Sequence, residues 1–221
     1  MAVAEAGSGC DAAWTWKPAE VLFRNSNSSA DWQQLLSMHL AVLRPTETKI
    51  DFLWRIKSPP NILHFGWRIL LNRLATKDQL LKRGMLMEDG DSACVFCHSE
   101  EENLHHLLGG CKVLSCLWRK VFEWLGPFGN VGLEDFEGFF DNFEKVKAIS
   151  KRMIIAVVWL ATVWSIWLRR NAIIFRGESY SFTECMSGII WLAWMWLQSF
   201  YVLKDGCNFY IWNILPLTCF E

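Results

Sequence analysis

Cys94-Val95-Phe96-Cys97-His98-Ser99-Glu100-Glu101-Glu102-Asn103-Leu104-His105-His106-Leu107-Leu108-Gly109-Gly110-Cys111 holds three cysteines and three histidines in one short run. A tight turn in the Cys94-x-x-Cys97 pair brings both sulfurs to one side, and a His and a Cys from the next element can complete a tetrahedron. Three thiolates and one imidazole form a soft, closed donor set that suits structural zinc and leaves no position for a substrate water. His98 follows Cys97 directly and has the worst geometry of the three histidines. His105 and His106 are adjacent, so on a helix they point about 100° apart and only one of them reaches a metal. A redox C-x-x-C would follow a strand in a βαβ pattern, which is absent here. Cys116, one turn beyond Cys111, reads as a core thiol, and so do Cys10, Cys185, Cys207 and Cys219; His39 and His64 read as ordinary structural residues.

The segments on both sides of this run carry helical periodicity. Pro59-Pro60 favours a sharp helix entry, because proline's fixed φ and missing N–H suit the first turn. Ile62, Phe65, Ile69, Leu70 and Leu74 then recur along one apolar stripe. Thr76-Lys77-Asp78-Gln79 has the pattern of a capping box for a second helix from Asp78 to about Arg83, with Gly84 where a left-handed C-terminal cap is needed. Leu114, Leu117, Trp118, Val121, Phe122 and Leu125 repeat at three and four, closed by Gly126-Pro127, and predict a third helix.

Farther out the signals weaken. Residues 1–45 read as a loosely ordered lead-in with a short amphipathic helix from Asp31 to Leu43 ahead of Pro45, and residues 46–126 as the helical, metal-holding domain. Residues 127–150, rich in Gly, acidic and Phe residues, read as a linker with a short acidic helix. In residues 151–221 two apolar segments, Met153 to Leu168 and Cys185 to Leu203, are separated by Arg169-Arg170-Asn171 and the polar stretch from Gly177 to Thr183, with Ser181 or Thr183 as cap for the second. Neither clearly exceeds the ~20 apolar residues of a bilayer span, and the first falls short of it. Trp159, Trp164, Trp191 and Trp194 lie inside the segments, whereas membrane Trp gathers at the interfaces. The pair is expected to form a buried, Trp-rich helical hairpin, with a membrane hairpin as the less favoured alternative. The fold class is therefore mainly α: a small zinc-stabilised helical domain followed by a helical hairpin.

Composition narrows the function. With 52% hydrophobic and 20% charged residues, the chain has the material for real cores, which excludes wholesale disorder. A net charge of −1 supplies no broad basic field, so any nucleic-acid binding must come from a local patch. The first ten residues have neither a basic nor an apolar region of a secretory signal, and the expectation is an intracellular protein, nuclear or cytoplasmic, whose thiols stay reduced.

Several motifs in unbroken order carry a resemblance. Leu53-Trp54-Arg55-Ile56-Lys57 with Pro59-Pro60, Phe65-Gly66-Trp67-Arg68, Asn72 to Leu80, Lys82-Arg83-Gly84 and the run to Cys111 together resemble the reverse-transcriptase zinc-binding domain of plant LINE-type (non-LTR) retrotransposon polyproteins. The likeness covers about residues 50–125, although Asn61 stands where the family often has Lys. Ile166-Trp167-Leu168-Arg169-Arg170-Asn171 and Phe175 are similar to the segment that commonly trails the domain. The resemblance implies Cys94, Cys97, His106 and Cys111 as the zinc ligands, choosing His106 through His106-Leu107-Leu108. In the family this domain follows the polymerase. The chain has no Tyr-x-Asp-Asp, no Gly-rich phosphate loop, no G-x-S-x-G and no H-E-x-x-H. The resemblance thus implies an orphan fragment or domesticated remnant with a binding task, and no enzyme.

Two kinds of partner follow. Arg55, Lys57, Arg68, Arg73, Lys77, Lys82 and Arg83, interleaved with Trp54, Phe65 and Trp67, could meet the phosphates and bases of single-stranded RNA or DNA, although the three aromatics read more readily as core. The Trp-rich C-terminal segment could instead dock on another protein.

Overall fold

Proline chemistry sets the first long helix. Pro60 takes its first position and α2 runs Pro60–Leu70, following a helical segment over residues 49–55, here α1. The computed structural model describes residues 49–86, 91–126 and 148–220. The helix expected over Asp31–Leu43 lies outside the described residues, as does the expected linker up to residue 147. α2 buries Ile62, Phe65 and Ile69, and it ends with Asn72 in the left-handed region (φ 50°). There the N–H groups of Asn72 and Arg73 close back onto the carbonyls of Ile69 and Arg68, at 2.8 Å each. α3, Lys77–Lys82, ends the same way at Gly84 (φ 67°), as expected.

The start of α3 differs from the expected capping box. The Thr76 hydroxyl bonds the Asp78 carboxylate, and Gln79 also turns to Asp78 instead of reaching back. The helix's first donors go to Glu102, whose carboxylate accepts from the Lys77 N–H (3.0 Å) and whose carbonyl accepts from the Asp78 N–H (3.2 Å). A distant acceptor therefore caps α3 in place of a local one.

α4, Lys112–Leu125, buries the six side chains that its periodicity singled out. α5, Ile149–Arg176, is one continuous helix of 28 residues. The break expected at Arg169-Arg170-Asn171 is absent because Arg170 is buried and paired; the helix stops at Gly177, which is left-handed (φ 65°). Every residue from Ile154 to Val163 is buried, as in a helix surrounded by others. The expectation that this segment is too short for a bilayer is corrected: α5 is long and apolar enough to cross one, but 67% of its most apolar stretch is buried inside the protein. α6, Phe182–Phe200, lies along α5 and is capped by the Ser181 hydroxyl, which accepts from the Glu184 N–H.

A short helix α7, Phe209–Ile214, and a 3-10 turn, Pro216–Phe220, close the described chain. They seat Trp212, fully buried, edge-to-face on Trp124, with its indole N–H donating 2.9 Å to the Ile190 carbonyl. Cys207 and Cys219, read above as ordinary thiols, are joined in a disulfide across this turn. Cys116, expected in the core, is exposed on α4, whereas Cys185 is a buried thiol, as expected. One core joins side chains of α1, α2, the cysteine run, α4, α5, α6 and the C-terminal turn. Among the described residues there is no strand, only an isolated bridge between Ala93 and Glu101. The fold is mainly α.

Two helical glycines meet opposite surroundings. A Cβ on Gly66 would come within 3.0 Å of both Leu160 and Leu53, whereas one on Gly188 would meet nothing within 4 Å. Gly66→Val is therefore expected to destabilise by about 1–3 kcal/mol through overpacking. Gly188→Ala is expected to stabilise by about 0.5–1 kcal/mol through helix propensity. Urea unfolding of the two variants checks both signs.

Candidate metal centre

The site is built from three pieces of backbone. Residues 92–102 fold back on themselves through bonds from the Glu102 N–H to the Ser92 carbonyl and from the Cys94 N–H to the Glu100 carbonyl, both 2.8 Å. Within that fold, the turn from Cys94 closes with the His98 N–H on the Cys94 carbonyl, and His98 takes a left-handed φ of 52°. The second piece is a π-helical turn, His106–Gly110, in which the Cys111 N–H reaches back to the His106 carbonyl at 2.8 Å. Asn103 starts it by accepting the His106 N–H on its side-chain oxygen, 2.8 Å away. The third is the N-terminus of α4, where Cys111 is the capping residue.

Cys94, Cys97, His106 and Cys111 converge, their ligand atoms lying within 4.8 Å of one another. The Cys94 and Cys111 sulfurs are 4.0 Å apart, and Cys97 Sγ is 3.3 Å from His106 Nε2. A tetrahedral zinc with ordinary bond lengths has S···S edges of about 3.8 Å and S···N edges of about 3.6 Å, so these two distances fall close to such edges and the four donors together span at most 4.8 Å. The two adjacent histidines separate: His106 is buried in the cluster, and His105 is exposed. His98 is also exposed.

The surroundings favour anionic sulfur at Cys97 and Cys111. Backbone N–H groups of Cys97 and Phe96 face Cys94, those of Ser99 and Glu100 face Cys97, and those of Leu114 and Val113 face Cys111. The Cys94 thiol donates to Cys111; that bond and burial together raise Cys94, while at Cys111 the same bond outweighs burial and lowers the thiol. Burial raises Cys97, but bonds from the Ser99 side chain and the Ser99 and Glu100 N–H groups outweigh it and bring that thiol below its usual range. Burial lowers His106, yet its bonds to Cys97 and Cys94 leave it raised overall. A divalent cation can replace the protons these groups share, since thiolate ligation releases them.

Outer residues complete the centre, and sequence reading had missed them. Glu100 places a carboxylate oxygen 3.2 Å from His106 Nδ1, which leaves Nε2 to face the sulfurs. Lys77, expected to meet phosphates, turns inward, and its ammonium bonds Asp91 (3.0 Å) and the Ala93 carbonyl (2.6 Å) beside the turn. Of the other cations, Lys82 pairs with Asp78 at 3.1 Å, and Arg55, Lys57, Arg68, Arg73 and Arg83 are exposed. Phe65 is core and Trp67 half-buried, while Trp54 stays 45% exposed, edge-on to His64. The Asn103-x-x-His106 spacing and the acidic run beside the histidines were the signals available for these outer contacts.

A turn with two cysteines, an imidazole and a helix-capping cysteine together form a Cys₃His group that could hold a metal ion. Residues 28–118 match the family model described as zinc-binding in reverse transcriptase, a zinc-binding segment and not a catalytic one. No curated protein and no solved structure matches the chain.

Removing the Glu100 carboxylate frees the imidazole to rotate. Glu100→Ala is expected to weaken metal affinity about tenfold, the lower end for outer-shell partners because this carboxylate is half exposed. Chelator competition against the unaltered chain measures the ratio.

Proposed function

We propose that the chain binds one structural zinc ion through Cys94, Cys97, His106 and Cys111 and serves as a non-catalytic, nucleic-acid-binding accessory domain derived from a LINE-type retrotransposon polyprotein of plant origin. The convergence of three thiols and an imidazole within 4.8 Å of one another carries the zinc reading. With every position filled by protein, such an ion has no place for a reacting water, which supports a scaffolding role over a catalytic one. The resemblance of residues 50–125 supports the retrotransposon origin.

Nucleic-acid binding is supported by the exposure of Arg55, Lys57, Arg68 and Arg73 on and just beyond α1 and α2, next to the partly exposed Trp54 ring. Cations there would contact phosphates, and the indole could stack on an unpaired base. Lys77 leaves the proposed contact set because the protein already uses its ammonium. A protein partner has its own observation: α6 keeps Trp191 51% exposed, with Phe209 5.4 Å away, ring to ring.

Native mass spectrometry of the purified chain is expected to find about one zinc, lost in Cys97→Ser. Filter retention of single-stranded RNA and DNA over a salt series is expected to fall linearly on logarithmic axes, and Arg55→Ala to flatten the slope by about 0.7. Retention independent of salt would refute phosphate contact and leave the protein-partner reading.

A further inference from the structure

We infer that Glu102 and Arg170 are positioning residues of the metal centre, an ion pair 68 residues apart in sequence that makes α5 part of the metal-binding unit. The inference rests on the zinc reading above and adds to it the place where the binding unit ends.

Glu102 lies on the run between Cys97 and His106, and each of its polar groups is engaged. Its N–H binds Ser92, its carbonyl takes the Asp78 N–H of α3, and its carboxylate takes the Lys77 N–H. The same carboxylate receives Arg170 of α5: Nη2 donates at 2.6 Å, and Nε bonds both oxygens at 3.2 and 3.3 Å. Both side chains are out of water, Glu102 at 0% and Arg170 at 3% exposure. The guanidinium is fixed further by Asn171 Oδ1 at 3.0 Å and by the Trp167 ring, 4.9 Å from its centre.

This geometry ties the metal ligands to α5. The run ending at Glu102 supplies the carbonyl that holds the Cys94 N–H, and Asn103, the next residue, caps the turn carrying His106. A buried carboxylate without its partner is strongly destabilising, so the run keeps this position only while Arg170 stands opposite. Conversely, a metal that fixes the run holds the carboxylate in place for α5. Such coupling is reciprocal: whatever α5 contributes to metal affinity, the metal contributes to α5. Residues 28–118, the family-matched segment, contain Glu102 without Arg170. The structure thus assigns a binding unit that is incomplete when it stops there.

The test uses the full chain. Arg170→Met is expected to bind zinc at unchanged stoichiometry but about tenfold or more weakly in chelator competition, with a shifted thiolate-to-cobalt charge-transfer band after cobalt(II) substitution. Glu102→Gln together with Arg170→Met removes both charges and is expected to recover most of the affinity, whereas Arg170→Lys, lacking the planar fork, is not. In the unaltered chain, removing zinc is expected to speed amide exchange in residues 166–172 as well as in residues 91–111. Unchanged affinity and cobalt spectrum in folded Arg170→Met, or faster exchange confined to residues 91–111, would overturn the inference; if Arg170→Met does not fold, the exchange measurement decides. A wild-type chain that takes up no zinc would overturn the zinc reading and this inference with it, whereas normal zinc uptake without coupling overturns this inference alone.

Discussion

Four donor atoms, carried by a turn, a π-helical turn and a helix N-terminus, meet within 4.8 Å of one another, and regular secondary structure contributes little to holding residues 91–111 together. That segment has one isolated bridge and a few backbone bonds in place of a sheet or a long helix. Its apolar residues, Val95, Phe96, Leu104, Leu107 and Leu108, are pressed into the core, with Phe96 edge-on to Tyr180. Burying such a loop while leaving three thiols and an imidazole face to face makes sense when a cation takes up their charge. A small irregular segment then gains the rigidity that regular structure supplies elsewhere.

Around that knot the helices act as a frame. α5 stands at its centre: residues 154–163 are buried on all sides, the same stretch meets α2 at the bare backbone of Gly66, and the C-terminal half carries the arginine that meets Glu102. Among the described residues Trp118, Trp159, Trp194, Trp196 and Trp212 are buried in this frame and Trp67, Trp124, Trp164 and Trp167 pack against it, so the apolar composition builds a core more than it advertises a surface. The C-terminal turn closes over it through Trp212 and the Cys207–Cys219 bridge.

Periodicity made α2 and α4 legible, because each sits half in the core and its apolar spacing records which half, whereas α3 was read from its terminal residues, of which Gly84 acts as expected. The spacing of Cys94, Cys97, His106 and Cys111 was legible for the same kind of reason: ligand chemistry tolerates few residue types and short loops. What sequence could not show came from distance along the chain. Thr76 looked like a local cap because nothing nearby reveals that Glu102 supplies the acceptor. Arg169-Arg170-Asn171 looked like a polar break because a buried arginine is recognisable only once its carboxylate is found. Lys77 looked like a phosphate contact for the same reason, its ammonium being taken by Asp91 and Ala93. Cys207 and Cys219 have no spacing signature, and only the fold brings their Cα atoms to 5.4 Å.

Zinc K-edge X-ray absorption of the purified, unaltered protein addresses the centre most directly, because it reads the donor atoms themselves. The account predicts a first shell of three sulfurs at about 2.3 Å and one nitrogen at about 2.0–2.1 Å, with the outer scattering of a single imidazole. A shell of oxygen and nitrogen alone, or two imidazoles with fewer than three sulfurs, would contradict it.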